Sequence, residues 1–362
     1  MKRVKAIFII WLLLAGSIYV LNGSKAAAAM FIVAAFYCAA ALIVTLASGR
    51  KIRTEITGEH SINKNVKEEI KVESANESGF PVPSCTLSLV CENVLTKEKE
   101  TIPLEYSFGP KGKNKGGLVL SSSNCGRENI YVSDAVISDP AGLFRRKQKM
   151  DAATAVYIMP EIREINIPSE YLDSYDMESY SYSQHKKGND TGEVFGIREY
   201  QDGDSPKQIH WKLSAKLDDM MVKIPSFPIE NKLVVLLDNS IAPGTVLDAG
   251  KRNDLVELFF SLSFSLLKKN ITHSLGWCDH STGVFMVRRI ENDSDMWAAV
   301  PEVLSAGIED SSLTTSYRFL ASAGEEHFTN HFIVTATEAA ETERLAEYGD
   351  VRVFRSGSGG QD

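Results

Sequence analysis

The chain lacks an excess of positive charge. Its 362 residues hold 39 Lys and Arg against 47 Asp and Glu, a formal net charge of −8, and the pI is near 5.5. General binding of DNA or RNA needs concentrated Lys and Arg to neutralise phosphates, so we exclude it. The length and the apolar content of 44% predict about two soluble domains besides any membrane segment.

Cysteine is scarce, and no Cys-x-x-Cys pair is present. The five cysteines are Cys38, Cys85, Cys91, Cys125 and Cys278. Zinc sites and dithiol redox sites usually need paired cysteines, so we predict structural thiols in a reducing compartment. Cys85 and Cys91 are candidates for a bridge in an oxidising compartment, but the membrane topology predicted below places them on the reducing side.

Motifs of catalysis are missing as well. The chain has no phosphate-binding loop and no Gly-x-Ser-x-Gly nucleophile elbow. His327 and His331 have the spacing of metal ligands on a helix, but His331 stands where a strand should begin, so we treat the pair as accidental. His210 and Asp204 suit a base and its orienting group, yet no nucleophile accompanies them. We therefore predict that the protein is not an enzyme, with a hydrolase as the weakest alternative.

Two uncharged apolar runs stand near the N-terminus, in residues 6–21 and 26–47. As helices they reach ~24 and ~33 Å, so both can span a bilayer, the first only just. The residues between them predict a tight turn.

Positive charges flank the outer ends of this predicted hairpin. They belong to Lys2, Arg3, Lys5, Arg50, Lys51 and Arg53. The turn side carries only Lys25, so the positive-inside rule predicts two spans of a cell membrane followed by a cytoplasmic body. A cleaved signal peptide is the alternative for the first run.

The predicted body begins with residues 51–159, where apolar and polar positions alternate in short runs. Cys85, Leu87 and Leu89 are an example, and Gly and Pro separate the runs. This pattern predicts an antiparallel β-sandwich-like domain. Its basic segment from Lys111 to Lys115 is predicted to be a solvated hairpin tip, with contact to lipid headgroups as the alternative.

The remainder of the body has two parts. Residues 160–230 lack sustained periodicity and are predicted to be a connecting loop. Residues 231–362 alternate strand-like and helix-like segments, which is typical of a parallel sheet covered by helices. Strands are predicted near residues 232–237, 271–278, 284–287, 332–335 and 351–354, and helices near 254–269, 295–304 and 338–348. With residues 1–50 as the membrane hairpin, the chain has four predicted segments.

The densest group of unusual residues lies in the predicted loop. Its members are Arg198, Tyr200, Gly203, Asp204, Lys207, His210, Trp211 and Lys212. The turn around Gly203 should bring Arg198 to Asp204 as an ion pair. We expect Asp204 to cap a short helix that holds Trp211, with the tryptophan ring buried beside the pair. Such a cluster either locks the segment onto the sheet or forms a partner-binding surface.

This segment resembles the signature of the bacterial "domain of unknown function 58" family, roughly Arg-x-Tyr-x-x-Gly-Asp, then Ile-x-Trp-Lys and a Ser-Ala pair. The stretch from Asp139 to Phe144 looks like a second family motif, Asp-Pro-x-Gly-Leu-Phe. Lys207 departs from the arginine often found there, so no bidentate role is expected of it. The resemblance implies a von Willebrand factor type A-like C-terminal domain. It also implies a MoxR-type AAA ATPase and a transglutaminase-like membrane protein as partners, and no defined reaction.

A candidate metal site follows the first strand of the C-terminal domain. Metal-binding type A domains carry Asp-x-Ser-x-Ser there, because Mg²⁺ requires several oxygen ligands. The corresponding residues are Asp238, Ser240 and Ala242, so one hydroxyl is missing. We expect absent or weak Mg²⁺ binding, with local capping of the following loop as the alternative role. The leading hypothesis is thus a membrane-anchored binding or scaffold protein without a cofactor, and the second is a divalent-metal-dependent adhesion-type module.

Overall fold

The structure is a computed structural model that describes most of the chain. The described residues are 2–22, 25–47, 52–172, 181–201, 204–229, 232–322, 328–338 and 341–356. They form two compact units, Met1–Glu161 with Asp248–Asn253 and Val300–Gly307, and Ile162–Leu247 with Asp254–Ala299 and Ile308–Asp362. Because neither unit is one stretch of sequence, the predicted boundaries at residues 50, 159 and 230 stay predictions.

Two apolar helices begin the first unit, α1 (Lys2–Asn22) and α2 (Lys25–Ala47). Within the described residues, one helical stretch, Ala28–Ala47, is long and apolar enough to cross a membrane. The apolar part of α1, Ala6–Leu21, is shorter. A candidate spanning helix is therefore present near the N-terminus, and the second span stays a prediction.

The rest of the first unit is built from strands in two sheets. The strands are β1 (Ile52–Thr57), β2 (Ser61–Asn63), β3 (Glu68–Asn76), β4 (Val82–Asn93), β5 (Lys99–Phe108), β6 (Lys113–Leu120), β7 (Gly126–Ser138), β8 (Arg145–Lys149) and β9 (Ala153–Met159). One sheet has the order β1-β3-β6, and the other has the order β2-β9-β7-β4-β5 with β8 also paired to β7. All these pairs are antiparallel except β2 with β9.

Both sheets contribute to one hydrophobic core. Ile70 and Val72 of β3 and Leu87 and Leu89 of β4 are wholly buried in it. Alternation along each strand places these residues on one face, so period two predicts the strands correctly. Burial of such side chains contributes roughly 1.5–3 kcal/mol each. The prediction of antiparallel strands is confirmed.

The basic segment of the first unit only partly forms the predicted hairpin tip. Lys111 lies in the turn with a positive φ of 53°, whereas β6 already begins at Lys113. Lys115 pairs with Glu73 at 2.7 Å across the β3–β6 ladder. The segment therefore belongs to a sheet face of mixed charge.

All five cysteines are free thiols. Cys85 and Cys91 do not form the bridge considered above, and both are buried in β4. Burial raises the pKa of Cys85 to about 11 and that of Cys91 to about 12. A buried protonated thiol is unreactive, which agrees with a structural role.

The elements from residue 162 onward include both strands and helices. They are β10 (Ser181–Glu199), α3 (Trp211–Leu217), β11 (Met221–Ile229), β12 (Leu233–Leu237), β13 (Ser240–Ile241), α4 (Ala249–Lys268), β14 (His273–Asp279), β15 (Val284–Ile290), α5 (Asp293–Ala306), β16 (Glu309–Asp310), α6 (Thr315–Ser322), β17 (Asn330–Thr335), α7 (Thr342–Ala346) and β18 (Asp350–Arg355). Within residues 231–362 this order confirms the predicted mixture of strands and helices.

A five-stranded sheet forms the centre of the second unit, in the order β15-β14-β12-β17-β18. β12 pairs in parallel with β14 and β17, β17 pairs in parallel with β18, and β15 is an antiparallel edge. Every residue of β12 is buried, as its unbroken apolar sequence predicts for a central parallel strand. The carboxyl ends of β12 and β17 flank a topological switch point, where open α/β sheets usually bind ligands.

Two predictions of secondary structure are wrong. β10 and β11 pair antiparallel within residues 160–230, for which the sequence predicts a loop. A two-stranded ribbon can leave both faces in water, so its sequence needs no alternation. The helix predicted over residues 338–348 is shortened to α7, and residues 339 and 340 lie outside the described part of the chain. His327 also lies outside it, whereas His331 is buried within β17.

Candidate functional site

The signature residues form the connection between β10 and β11. Arg198 lies near the end of β10, just before the chain turns. The backbone N–H groups of Tyr200 and His210 donate to the carbonyls of Met220 and Met221, each at 2.8 Å. The chain thus returns twice to the start of β11, and the signature is a loop closed by backbone hydrogen bonds.

A bidentate ion pair between Arg198 and Asp204 stabilises the turn of the signature. Nη1 and Nη2 of Arg198 donate to Oδ2 and Oδ1 of Asp204, each at 2.6 Å. The backbone N–H of Gln201 donates to the same carboxylate at 2.9 Å. The hydrogen bond from Arg198 is the main reason why the pKa of Asp204 is lowered. The predicted pairing is confirmed, and Gly203 lies outside the described residues.

The predicted cap of the signature helix is wrong. The N-cap of α3 is His210, whose Nδ1 accepts the backbone N–H of Leu213 at 3.1 Å. The nitrogen that accepts this bond carries no proton. His210 therefore caps the N-terminus of α3. In the described part of the chain, no hydrogen bond joins His210 to Asp204. The Asp204 carboxylate instead accepts hydrogen bonds from Arg198 and Gln201.

The predicted burial of Trp211 is also wrong. Its side chain is 68% exposed at the first position of α3. Ile209, two residues earlier, occupies the buried position and forms a bridge to Val222 of β11. Leu217 and Met220 are exposed as well, so the signature carries several apolar side chains in contact with solvent.

Three lysines lie near Trp211 in the chain, and two exposed aspartates, Asp218 and Asp219, follow the helix. Lys207 lies in a short 3-10 turn, and Lys212 and Lys216 lie on α3, with all three side chains exposed. An exposed tryptophan with apolar and basic neighbours in the chain is a composition typical of the centre and rim of a protein interface.

A second group of polar residues meets at the carboxyl end of the five-stranded sheet. Asp238 follows β12, Thr335 ends β17 and Thr315 begins α6. The threonine hydroxyls donate to the Asp238 carboxylate, Thr315 to Oδ1 at 2.7 Å and Thr335 to Oδ2 at 2.8 Å. Burial raises the pKa of Asp238, and the two hydroxyl bonds oppose the rise. The alternative role of Asp238, as a local cap of the following loop, is therefore wrong, because the partners of its carboxylate are distant in sequence.

Ser240, the second predicted metal residue, does not reach the Asp238 carboxylate. Its buried hydroxyl has no oxygen or nitrogen partner among the described residues, and its polar neighbour is the Cys278 thiol. Asn239 pairs its amide with the Cys278 backbone, at 2.7 and 3.1 Å. Across the described ranges no three His, Cys, Asp or Glu residues stand together as metal ligands. An ion at this place would depend on one carboxylate and several hydroxyls.

We expect Trp211→Ala to change the free energy of unfolding by no more than about 0.5 kcal/mol, because the ring is exposed. The matched variant Trp277→Ala removes a ring of β14 that is 1% exposed, and it should cost ~3 kcal/mol or more. Thermal unfolding of the full chain in detergent measures both. An equally large loss for Trp211→Ala would show that this ring is packed.

Solved structures resemble the chain only slightly. A CARDB domain from Pyrococcus furiosus, in complex with di-metal ions, is 18% identical over 30% of this chain and 88% of that chain, with a TM-score of 0.23. A β-glucosidase from Listeria innocua, in complex with isofagomine, is 9% identical over 31% of this chain and 16% of that chain, also at 0.23. Scores of this size carry no argument about fold or function. No curated protein matches the chain.

The family comparison falls on the signature region. Residues 196–285 match the family described as "Protein of unknown function DUF58". The matched stretch contains the Arg198–Asp204 pair, α3 with Trp211, and Asp238 at the end of β12. This match supports the DUF58 family for the chain.

Proposed function

We propose that the chain is a membrane-anchored cytoplasmic binding or scaffold protein. Its signature surface, which consists of Lys207, Trp211, Lys212 and Lys216, contacts another protein. The observation with the most weight is the 68% exposure of Trp211 on a turn held by the Arg198–Asp204 pair. Tryptophan is enriched among the residues that dominate protein interfaces. A turn that is rigid before binding loses little entropy on association, so the ion pair favours binding by Trp211.

The partner we propose is a MoxR-type AAA ATPase, and the family resemblance supports it. The basic residues Lys207, Lys212 and Lys216 suit an acidic surface with an apolar pocket for Trp211. This chain has no phosphate-binding loop, so nucleotide hydrolysis belongs to the partner. A transglutaminase-like membrane protein is a further proposed member of the assembly.

The proposed anchor is a two-span hairpin. The helix Ala28–Ala47 supports one span, and the apolar part of α1 supports a shorter second one. Basic residues at both outer ends then favour a cytoplasmic body. The order β15-β14-β12-β17-β18, with an antiparallel edge, supports a von Willebrand factor type A-like domain in that body.

We expect a reporter fused after Asp362 to be active in the cytoplasm, because two spans return the chain to the side where it began. Protease added to intact cells should leave the body whole, and the same protease should digest the body after the cells are lysed. Digestion of the body from outside intact cells would contradict the proposed topology.

Association with the ATPase should depend on the signature surface. We expect Trp211→Ala to weaken binding by roughly 2 kcal/mol or more, as at interface hot spots. Lys207→Glu and Lys212→Glu should weaken it further by slowing encounter. Co-purification of the full chain with the ATPase from detergent-solubilised membranes measures the effect.

Two variants outside the signature serve as controls for that experiment. Trp297→Ala removes another tryptophan that is 42% exposed, on α5, and Lys251→Glu reverses an exposed lysine of α4. Both should leave association unchanged. Equal recovery of the ATPase with signature and control variants would show that the contact lies elsewhere on the chain. Failure to recover the ATPase with the unchanged chain or with any variant would contradict the partnership.

A divalent-metal-dependent adhesion-type module is the second candidate function. It is favoured by the hydroxyls of Thr315 and Thr335 on the Asp238 carboxylate, at the switch point of the sheet. Residues of this kind fit a hard cation such as Mg²⁺, with water completing its shell. A single carboxylate supplies little charge, and Ala242 supplies no oxygen, so the fit is incomplete.

We expect calorimetric titration of the full chain with Mg²⁺ or Mn²⁺ to show no binding tighter than about millimolar, since high-affinity sites carry more carboxylates. Asp238→Ala is the matched variant, because it removes the one charged group. Micromolar affinity that disappears in Asp238→Ala would favour the adhesion-type module over the metal-free scaffold.

A further inference from the structure

The turn between β7 and β8 is closed around the carboxylate of Asp139. This side chain is 2% exposed, and its oxygens accept the backbone N–H groups of Phe144 at 2.6 Å and Ala141 at 3.0 Å. The residues from Pro140 to Phe144 carry no charge. The turn therefore contains one carboxylate whose hydrogen bonds are made within the protein.

Two hydrogen bonds attach the β7–β8 hairpin lengthwise to α2. The hydroxyl of Tyr37 donates to Asp139 Oδ2 at 3.3 Å, and Nη1 of Arg146 donates to the carbonyl of Leu46 at 2.8 Å. The stretch of helix from Tyr37 to Leu46 is roughly 14 Å long. The Asp139 carboxylate thus lies beside Tyr37, and the guanidinium of Arg146 reaches the last turn of α2.

Between Phe36 and Leu46, α2 also exposes large apolar side chains. They belong to Phe36, Leu42, Ile43 and Leu46. With α2 as a membrane span, a part of the proposed function on which this inference depends, these side chains face acyl chains. Lipid then reaches the level of the β7–β8 turn. Residues 140–144 are uncharged, and the Asp139 carboxylate is buried and hydrogen-bonded within the protein, so the turn is compatible with such surroundings.

Strand β8 carries positive charge beside the end of α2. Its sequence is Arg-Arg-Lys-Gln-Lys, and Arg145, Lys147 and Lys149 alternate as exposed residues on one face. Lys147 pairs with Asp134 at 3.0 Å, while no carboxylate in the described ranges pairs with Arg145 or Lys149. Because Arg146 holds β8 at the last turn of α2, these cations lie where the apolar span ends and the headgroups begin.

We propose that the β7–β8 hairpin binds anionic phospholipids of the cytoplasmic leaflet, with its turn against acyl chains and its basic strand against headgroup phosphates. Each Lys or Arg near an anionic surface strengthens binding several-fold. The other basic segment, from Lys111 to Lys115, shares its surface with Arg53 and with three carboxylates, so most of its charge is balanced. The carboxylates belong to Glu55, Glu73 and Glu77. Position and net charge therefore both favour β8.

The experiment compares two variants that each lose three positive charges. Arg145→Gln, Lys147→Gln and Lys149→Gln are combined in β8, and Lys111→Gln, Lys113→Gln and Lys115→Gln are combined as the control. Each combination also removes one ion pair of an exposed lysine, Lys147 with Asp134 or Lys115 with Glu73. The full chain in mild detergent receives equal amounts of phosphatidylglycerol and phosphatidylcholine, and native mass spectrometry counts the lipids that stay bound. Thermal unfolding verifies that each variant is folded.

The unchanged chain and the control should retain phosphatidylglycerol in excess over phosphatidylcholine, on the order of ten-fold. The β8 variant should lose most of that excess. Equal retention of both lipids by the unchanged chain, or equal losses in both variants, would overturn the inference. A chain that separates from membranes in alkaline carbonate would instead contradict the proposed anchor, so the two failures are distinguishable.

Discussion

The central strand of the second unit, β12, is followed by polar groups that are largely buried. The neighbouring strands and α6 provide the hydrogen-bond partners that these groups need. Buried polar groups are tolerated when each finds a partner. The backbone N–H of Asp238 donates to Val334 at 2.8 Å, and its carboxylate accepts two threonine hydroxyls. Asn239 turns the other way and pairs with Cys278 of β14. Two consecutive residues thus join β12 to the strands on both sides and to the start of α6.

The signature uses polar pairing for a different purpose. Arg198 and Asp204 satisfy each other within the turn, so neither charge is left to bind an ion or a substrate. What the turn presents to solvent is the indole of Trp211. The sequence leaves a structural role and a binding role open as alternatives, and the structure gives the structural role to the ion pair. The proposed binding role then belongs to Trp211. The ion pair builds the loop, and the tryptophan is available for a partner.

The residues that could be predicted are those with a local signal. β12 follows from an unbroken apolar run, and β3 and β4 follow from alternation, because both patterns require only neighbouring positions. The exposure of Trp211 could not be predicted, since α3 has seven residues and shows too few turns to define an apolar face. Thr315 contacts Asp238 across 77 positions of sequence, which no local pattern reports. The contact of Thr335 with Asp238 could have been predicted, because the carboxyl ends of two predicted parallel strands meet at one edge of the sheet.

The thiols of β4 have a consequence for the motion of the first unit. Cys85 and Cys91 are buried in the hydrophobic core, and their raised pKa values keep them protonated at neutral pH. A small alkylating reagent needs an accessible thiolate, so it can modify them only when β4 separates from its neighbours. Under conditions in which opening is rapid, the rate of alkylation is proportional to the fraction of molecules that are open. The two native thiols therefore report the open fraction of the core of this unit, and no label has to be introduced.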